Sequence, residues 1–143
     1  MNTDLSVAPE IAQLAAPLLP VQQDVSAPRT DGRIAGDLAA LAAAPQRWWD
    51  LVRFDPAGPV RIPVPGAPGA WLLVLPPDTA ADCDCAQATA LAGEAVELAA
   101  ADETGSGAAR PLRPGRVRVH GTPAPHRLRT AGHGYSVTLH TRG

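Results

Sequence analysis

Beyond residue 53 the chain is cut by proline and glycine into segments suited to short β-strands, and this punctuation constrains the fold most. There are 16 prolines and 13 glycines in 143 residues. Residues 60–64 alternate in character, and residues 70–75 form a continuous apolar run that reads as a buried strand. Pro76-Pro77-Asp78 breaks that run. Residues 87–91 and 94–98 flank Gly93 and read as the arms of a tight hairpin. Residues 110–112, 116–120, 126–129 and 135–141 are further strands, with Gly115, Gly121 and Gly132-His133-Gly134 between them. Short strands at this spacing predict an antiparallel all-β sandwich or barrel.

The N-terminal part reads differently. Pro9, Pro17, Pro20 and Pro28 interrupt residues 1–29, which are expected to be a flexible arm with at most a short helix over 8–19. Thr30-Asp31 forms a helix N-cap signal. Ile34, Leu38 and Leu41 then follow a helical period over 33–44 until Pro45 ends it. A second short helix is expected over 46–52, with an apolar face from Trp48, Trp49, Leu51 and Val52. Residues 30–143 therefore read as one domain.

The apolar fraction of 45% is largely alanine, and aromatics make up only 3%. The core must come from Leu, Val, Ala and three tryptophans, so the stability margin is small. A net charge of −2 gives no basic footprint, and nucleic acid is not an expected partner. Every basic residue other than histidine is arginine, the mark of a high-GC bacterial genome rather than of a physical need. No run of about 18 apolar residues predicts a membrane span. Without a basic, apolar leader pattern the expected location is cytoplasmic, where thiols stay reduced.

The only two cysteines stand at Cys83 and Cys85. On a strand, residues two apart share a face, so both thiols point the same way. A disulfide between them would close a very tight ring, so free thiols are expected. Two thiolates and one imidazole suit zinc or copper(I). Equally, two cysteines can simply fill space in a core. His126 is a third ligand or a rim histidine. His140 shares a face with Thr138 and is a pocket acid/base or a polar lining residue. His120 and His133 read as surface. Arg61 either turns inward to hold a carboxylate or faces solvent on an edge strand. Trp71 reads as core, and one of Trp48 and Trp49 must lie off the apolar face.

The order of motifs is distinctive. Trp48-Trp49-Asp50-Leu51-Val52-Arg53-Phe54-Asp55 follows two helices and precedes an Arg-bearing strand, the 71–75 strand and a Pro-Pro turn. A Gly-Glu hairpin, Leu112-Arg113-Pro114-Gly115, His126 and a last strand ending in His140 come after. Over roughly residues 35–142 this resembles bacterial members of the cysteine dioxygenase family, within the cupin superfamily. The resemblance implies a mainly β fold, a small antiparallel cupin-type β-barrel (jelly roll) with two short N-terminal helices outside it. Cys83-Asp84-Cys85 stands where that family has the His-x-His pair that holds a mononuclear iron. His126 matches the third ligand and Arg61 the carboxylate-binding arginine. Thr138, His140 and Arg142 occupy the family's Ser-x-His-x-Tyr, with only His140 retained, and the Glu common in other cupins has no counterpart.

The resemblance implies one metal ion on Cys83, Cys85 and His126: iron by family, zinc or copper by ligand type. It implies a metal-dependent oxidoreductase acting on a small thiol or carboxylate, with Arg61 binding substrate, His140 assisting catalysis and a homodimer as assembly. Two other readings stay open. One is a non-catalytic cupin that binds a soft metal or a small ligand. The other is a metal-free cupin acting through protein contacts, with the N-terminal arm and Trp48/Trp49 as interface.

Overall fold

The computed structural model describes residues 30–98, 108–120 and 125–142. The expected arm over 1–29 lies outside the described residues.

Helix α1 spans Asp31–Ala42. Thr30 caps it, its hydroxyl accepting from the Arg33 N–H at 3.2 Å. Ile34, Leu38 and Leu41 are the buried stripe. The expected second helix is instead two single 3₁₀ turns, Pro45–Arg47 and Trp49–Leu51. Trp48 separates them with a φ of −137°, outside helical space. Its side chain is buried, and its indole N–H donates to the Leu41 carbonyl at 3.1 Å, an acceptor in the last turn of α1. Tertiary capping thus overrides local helix preference. Trp49 is left 53% exposed.

Nine strands follow: β1 Val60–Pro63, β2 Ala70–Leu75, β3 Ala80–Cys83, β4 Gln87–Ala92, β5 Ala95–Leu98, β6 Ala109–Leu112, β7 Arg118–Val119, β8 His126–Thr130 and β9 Ser136–Thr141. One sheet has the order β1-β2-β9-β4-β7 and the other β3-β8-β5-β6. All strand pairs are antiparallel. Strands β2 to β9 thus form two four-stranded sheets joined by crossings, with β1 added at one edge. This is a jelly roll of the cupin type.

Alternation along β2 divides its residues between two cores. Trp71, Leu73 and Leu75 point between the sheets and pack with Cys83, Cys85, Ala88, Ala90, Leu112 and Leu128. Leu72 and Val74 point outward, where Leu38, Leu41 and Trp48 cover them together with Val137 and Leu139. The helix therefore seals the outer face of the five-stranded sheet.

The expected hairpin around Gly93 does not form. Strand β4 pairs with β7 and β9, whereas β5 pairs with β6 and β8. Gly93 is the corner where the chain leaves one sheet for the other. It sits at φ +72° against the backbone of Tyr135 and Ser136. Only a residue without a side chain fits there.

Candidate metal centre

The site grows out of the register at one end of the jelly roll. Cys83 ends β3 directly opposite His126, the first residue of β8. Leu128, two residues further along β8, faces Glu97 on β5, which makes Glu97 the diagonal neighbour of His126. Burial alternates across Asp82, Cys83, Asp84 and Cys85, so both sulfurs enter the interior while both carboxylates remain outside. From the opposite sheet, β9 brings His140, which is paired with Trp71 and Ala88. The link after Cys85 is fixed by the Ala86 N–H donating to the Thr141 carbonyl at 2.8 Å.

These placements bring four of the five expected site residues together. Cys85 Sγ lies 3.4 Å from His126 Nε2 and 3.3 Å from His140 Nδ1. Cys83 Sγ lies 3.5 Å from the same His140 nitrogen. The ligand atoms of Cys83, Cys85 and His126 all lie within 4.8 Å of one another. Both cysteines are buried free thiols.

Hydrogen bonding holds the ring of His140. Its Nε2 is 2.7 Å from the Thr138 hydroxyl, which itself donates to the Leu73 carbonyl at 3.4 Å. Nδ1, the other ring nitrogen, faces the two sulfurs. Trp71 stacks on the ring at a centroid distance of 5.5 Å and fixes its plane.

The two thiols do not ionise alike. The Cys83 thiol is pulled far below its ordinary value, chiefly by the hydrogen bond from Cys85. His126 and His140 lower it further, and burial opposes them. Cys85 is pushed far up by holding the shared proton, by burial and by the negative charge on Cys83 and Glu97. The metal-free pair thus carries one proton. A lowered pKa means that the charged form persists as pH falls. Ultraviolet thiolate absorbance is therefore expected to show one thiolate per chain at neutral and mildly acidic pH. The second should form only above the ordinary thiol value of 9.0. Titration of both thiols together near that value would contradict the shared proton.

Arg61 does not join this group. It is exposed, and its guanidinium lies 3.9 Å from the Trp71 ring centroid, a cation–π contact at the rim. It faces Leu73 across the β1–β2 pair, so Val60 and Ile62 pack on the outer core as expected. Trp71 is core, and it also flanks the site.

Two residues at the site escaped the sequence reading. Glu97 is buried, with its Oε2 2.7 Å from His120 Nε2 and 3.5 Å from His126 Nε2. His120, expected at the surface, has a side chain only 16% exposed and stacks on His126 at 4.4 Å. His133 is exposed, as expected. The available signal was alternation: Arg118 and His120 share a face, and Glu97 is the one acid inside an otherwise apolar strand. A site carboxylate therefore exists, supplied by β5 and not by the loop after Cys85.

No protein-family model matches the chain, and no curated protein matches it. Solved structures do. The TT1209 protein from Thermus thermophilus is 23% identical, with a TM-score of 0.49 over 66% of this chain and 94% of that one. The Drosophila melanogaster CENP-C cupin domain is 13% identical, with a TM-score of 0.47 over 82% of this chain and all of that one. A sugar phosphate isomerase of the cupin superfamily from Silicibacter pomeroyi is 17% identical, with a TM-score of 0.41 over 62% of each chain. None of the three is described as a cysteine dioxygenase. The jelly-roll assignment stands on the strand order, and the chemistry on the side chains. Among the described residues no helix is long and apolar enough to cross a membrane.

Proposed function

We propose that the chain is a metal-binding jelly roll that holds one soft ion, zinc first, through Cys83, Cys85 and His126. His140 serves as the fourth ligand. The observation that carries this reading is the pair of buried sulfurs met by two imidazole nitrogens at 3.3–3.5 Å. A tetrahedral zinc ion with ligands at about 2.0–2.3 Å separates its ligand atoms by roughly 3.3–3.8 Å. These three sulfur–nitrogen contacts have nearly the spacing the ion requires. Thr138 supports the same reading, because it holds the outer nitrogen of His140 as the partner of a metal-bound histidine does.

Four protein ligands close the coordination sphere, which favours a structural, sensing or carrier role over turnover. The iron implied by the family resemblance does not fit this donor set. A dioxygen-activating iron is suited by histidine and carboxylate with open positions, and two thiolates beside it would themselves be oxidised. The proposal is therefore a non-catalytic metal protein of the cupin fold.

Elemental analysis of untagged protein purified under reducing, anaerobic conditions tests it. The expected result is close to one equivalent of zinc or copper per chain, with no oxygen uptake on cysteine or other small thiols. Near-stoichiometric iron with oxygen uptake would replace the proposal with the dioxygenase reading. No metal at all would leave the metal-free interaction reading.

A further inference from the structure

We infer that Glu97, His120 and His126 form a second metal site, for a harder divalent ion, and that it shares His126 with the sulfur site. The two sites are then alternatives: the ion's softness decides which one claims the shared imidazole. The second site does not depend on the cysteines, while its competition with the sulfur site rests on the zinc reading.

The argument begins with His120. Its Nδ1 lies 3.3 Å from the Ala86 carbonyl, which holds the ring from behind. Its Nε2 faces the buried Glu97 carboxylate, 2.7 Å from Oε2.

A second nitrogen completes a donor set. His126 Nε2 lies 3.5 Å from the same carboxylate oxygen, and the ligand atoms of all three residues fall within 4.8 Å of one another. Two imidazoles and one carboxylate on one side of an ion are a donor set for harder divalent metals, with open positions remaining. The outer shell is also present. The Ala86 carbonyl orients His120 from behind, the usual arrangement for a metal-ligating histidine. Arg118 stands 3.7 Å from Glu97 Oε1 and leaves Oε2 to the imidazoles. Glu97 and His126 side chains are 9% and 7% exposed, so a cation there is shielded from water.

Sharing follows from His126. The nitrogen that approaches Glu97 is the nitrogen that lies 3.4 Å from Cys85 Sγ. One lone pair cannot serve both sets at full strength. A thiophilic ion takes it toward the sulfurs, whereas an ion that avoids sulfur takes it toward Glu97 and His120.

Cobalt(II) separates the two sites, because sulfur ligands give it a strong charge-transfer band and nitrogen and oxygen ligands do not. Wild-type protein is expected to bind one equivalent with that band. Cys83→Ser plus Cys85→Ser should still bind one equivalent, with weak visible bands only. Adding Glu97→Gln or His120→Ala to that background should lower cobalt affinity at least tenfold. Manganese(II), which disfavours thiolate, provides a second measurement with both cysteines intact should the serine pair misfold. Its binding, read by electron paramagnetic resonance, should be lost in Glu97→Gln and prevented by prior zinc loading. The inference fails if the folded serine variant binds no cobalt, if Glu97→Gln leaves manganese and cobalt binding unchanged, or if zinc and manganese bind together. A wild-type protein that lacks the sulfur band but binds manganese through Glu97 would instead overturn the zinc reading and leave this one standing.

Discussion

Changing Cys83 and Cys85 together to serine is expected to weaken zinc binding on the order of 10³-fold or more, measured by competition with a chromophoric chelator. Structural zinc sites of this type bind with about 10–16 kcal/mol of apparent free energy. Much of it comes from thiolates, which a serine hydroxyl cannot replace because it stays protonated. The metal-free chain already carries one thiolate between the two sulfurs, so zinc displaces one proton rather than two. The remaining affinity should be that of Glu97, His120 and His126. Serine places a smaller and more polar atom in the inner core, at residues 6% and 0% exposed. A variant with alanine at both positions, which adds no buried hydroxyl, therefore controls for packing. It should lose zinc to the same extent, and its circular dichroism should remain that of a folded β protein. Zinc affinity within about tenfold of wild type in either variant would show that the sulfurs are not ligands.

Replacing Gly93 with alanine is expected to cost about 3–5 kcal/mol, read from the midpoint of urea unfolding. Two penalties combine. The residue sits at φ +72°, where a side chain is strained. The new methyl would also overlap the Tyr135 carbonyl oxygen and stand 2.9 Å from Ser136 Cα, both backbone atoms that cannot rotate away. These atoms lead into β9, the strand that pairs with both β2 and β4 and carries His140. Relief of the overlap thus means shifting the strand that lines the candidate metal centre. For a domain with a small core the loss approaches a large part of its total stability, and poor soluble yield is the expected companion result. A cost under about 1 kcal/mol would mean that the β4–β5 corner is not as close-packed as described.

Local chemistry was legible in the chain. Thr30 announces a helix start, and the spacing of Ile34, Leu38 and Leu41 announces its buried face. The apolar run over 70–75 announces a buried strand. The i, i+2 cysteines announce one shared face, which the register places inside. Each of these depends on residues within a turn or a strand of one another. The match of His126 to a third ligand came from family resemblance rather than from any local rule, and its place opposite Cys83 from the strand register.

What the sequence alone could not determine is which strand lies beside which. The segments around Gly93 carry the pattern of a hairpin, yet they part into different sheets because β9 inserts beside β4 and β8 beside β5. Trp48 leaves its expected helix and turns into the core, where its indole N–H donates to the Leu41 carbonyl of the preceding helix. Glu97 and His120 look like ordinary polar positions until the two sheets face each other. Burial of a carboxylate is decided by what stands opposite it, and that partner comes from a strand distant in the chain. The sequence therefore determined the ligand types and the strands that carry them. Only the tertiary structure decided that two donor sets meet at one imidazole, because convergence is a property of pairing between remote segments and not of any segment by itself.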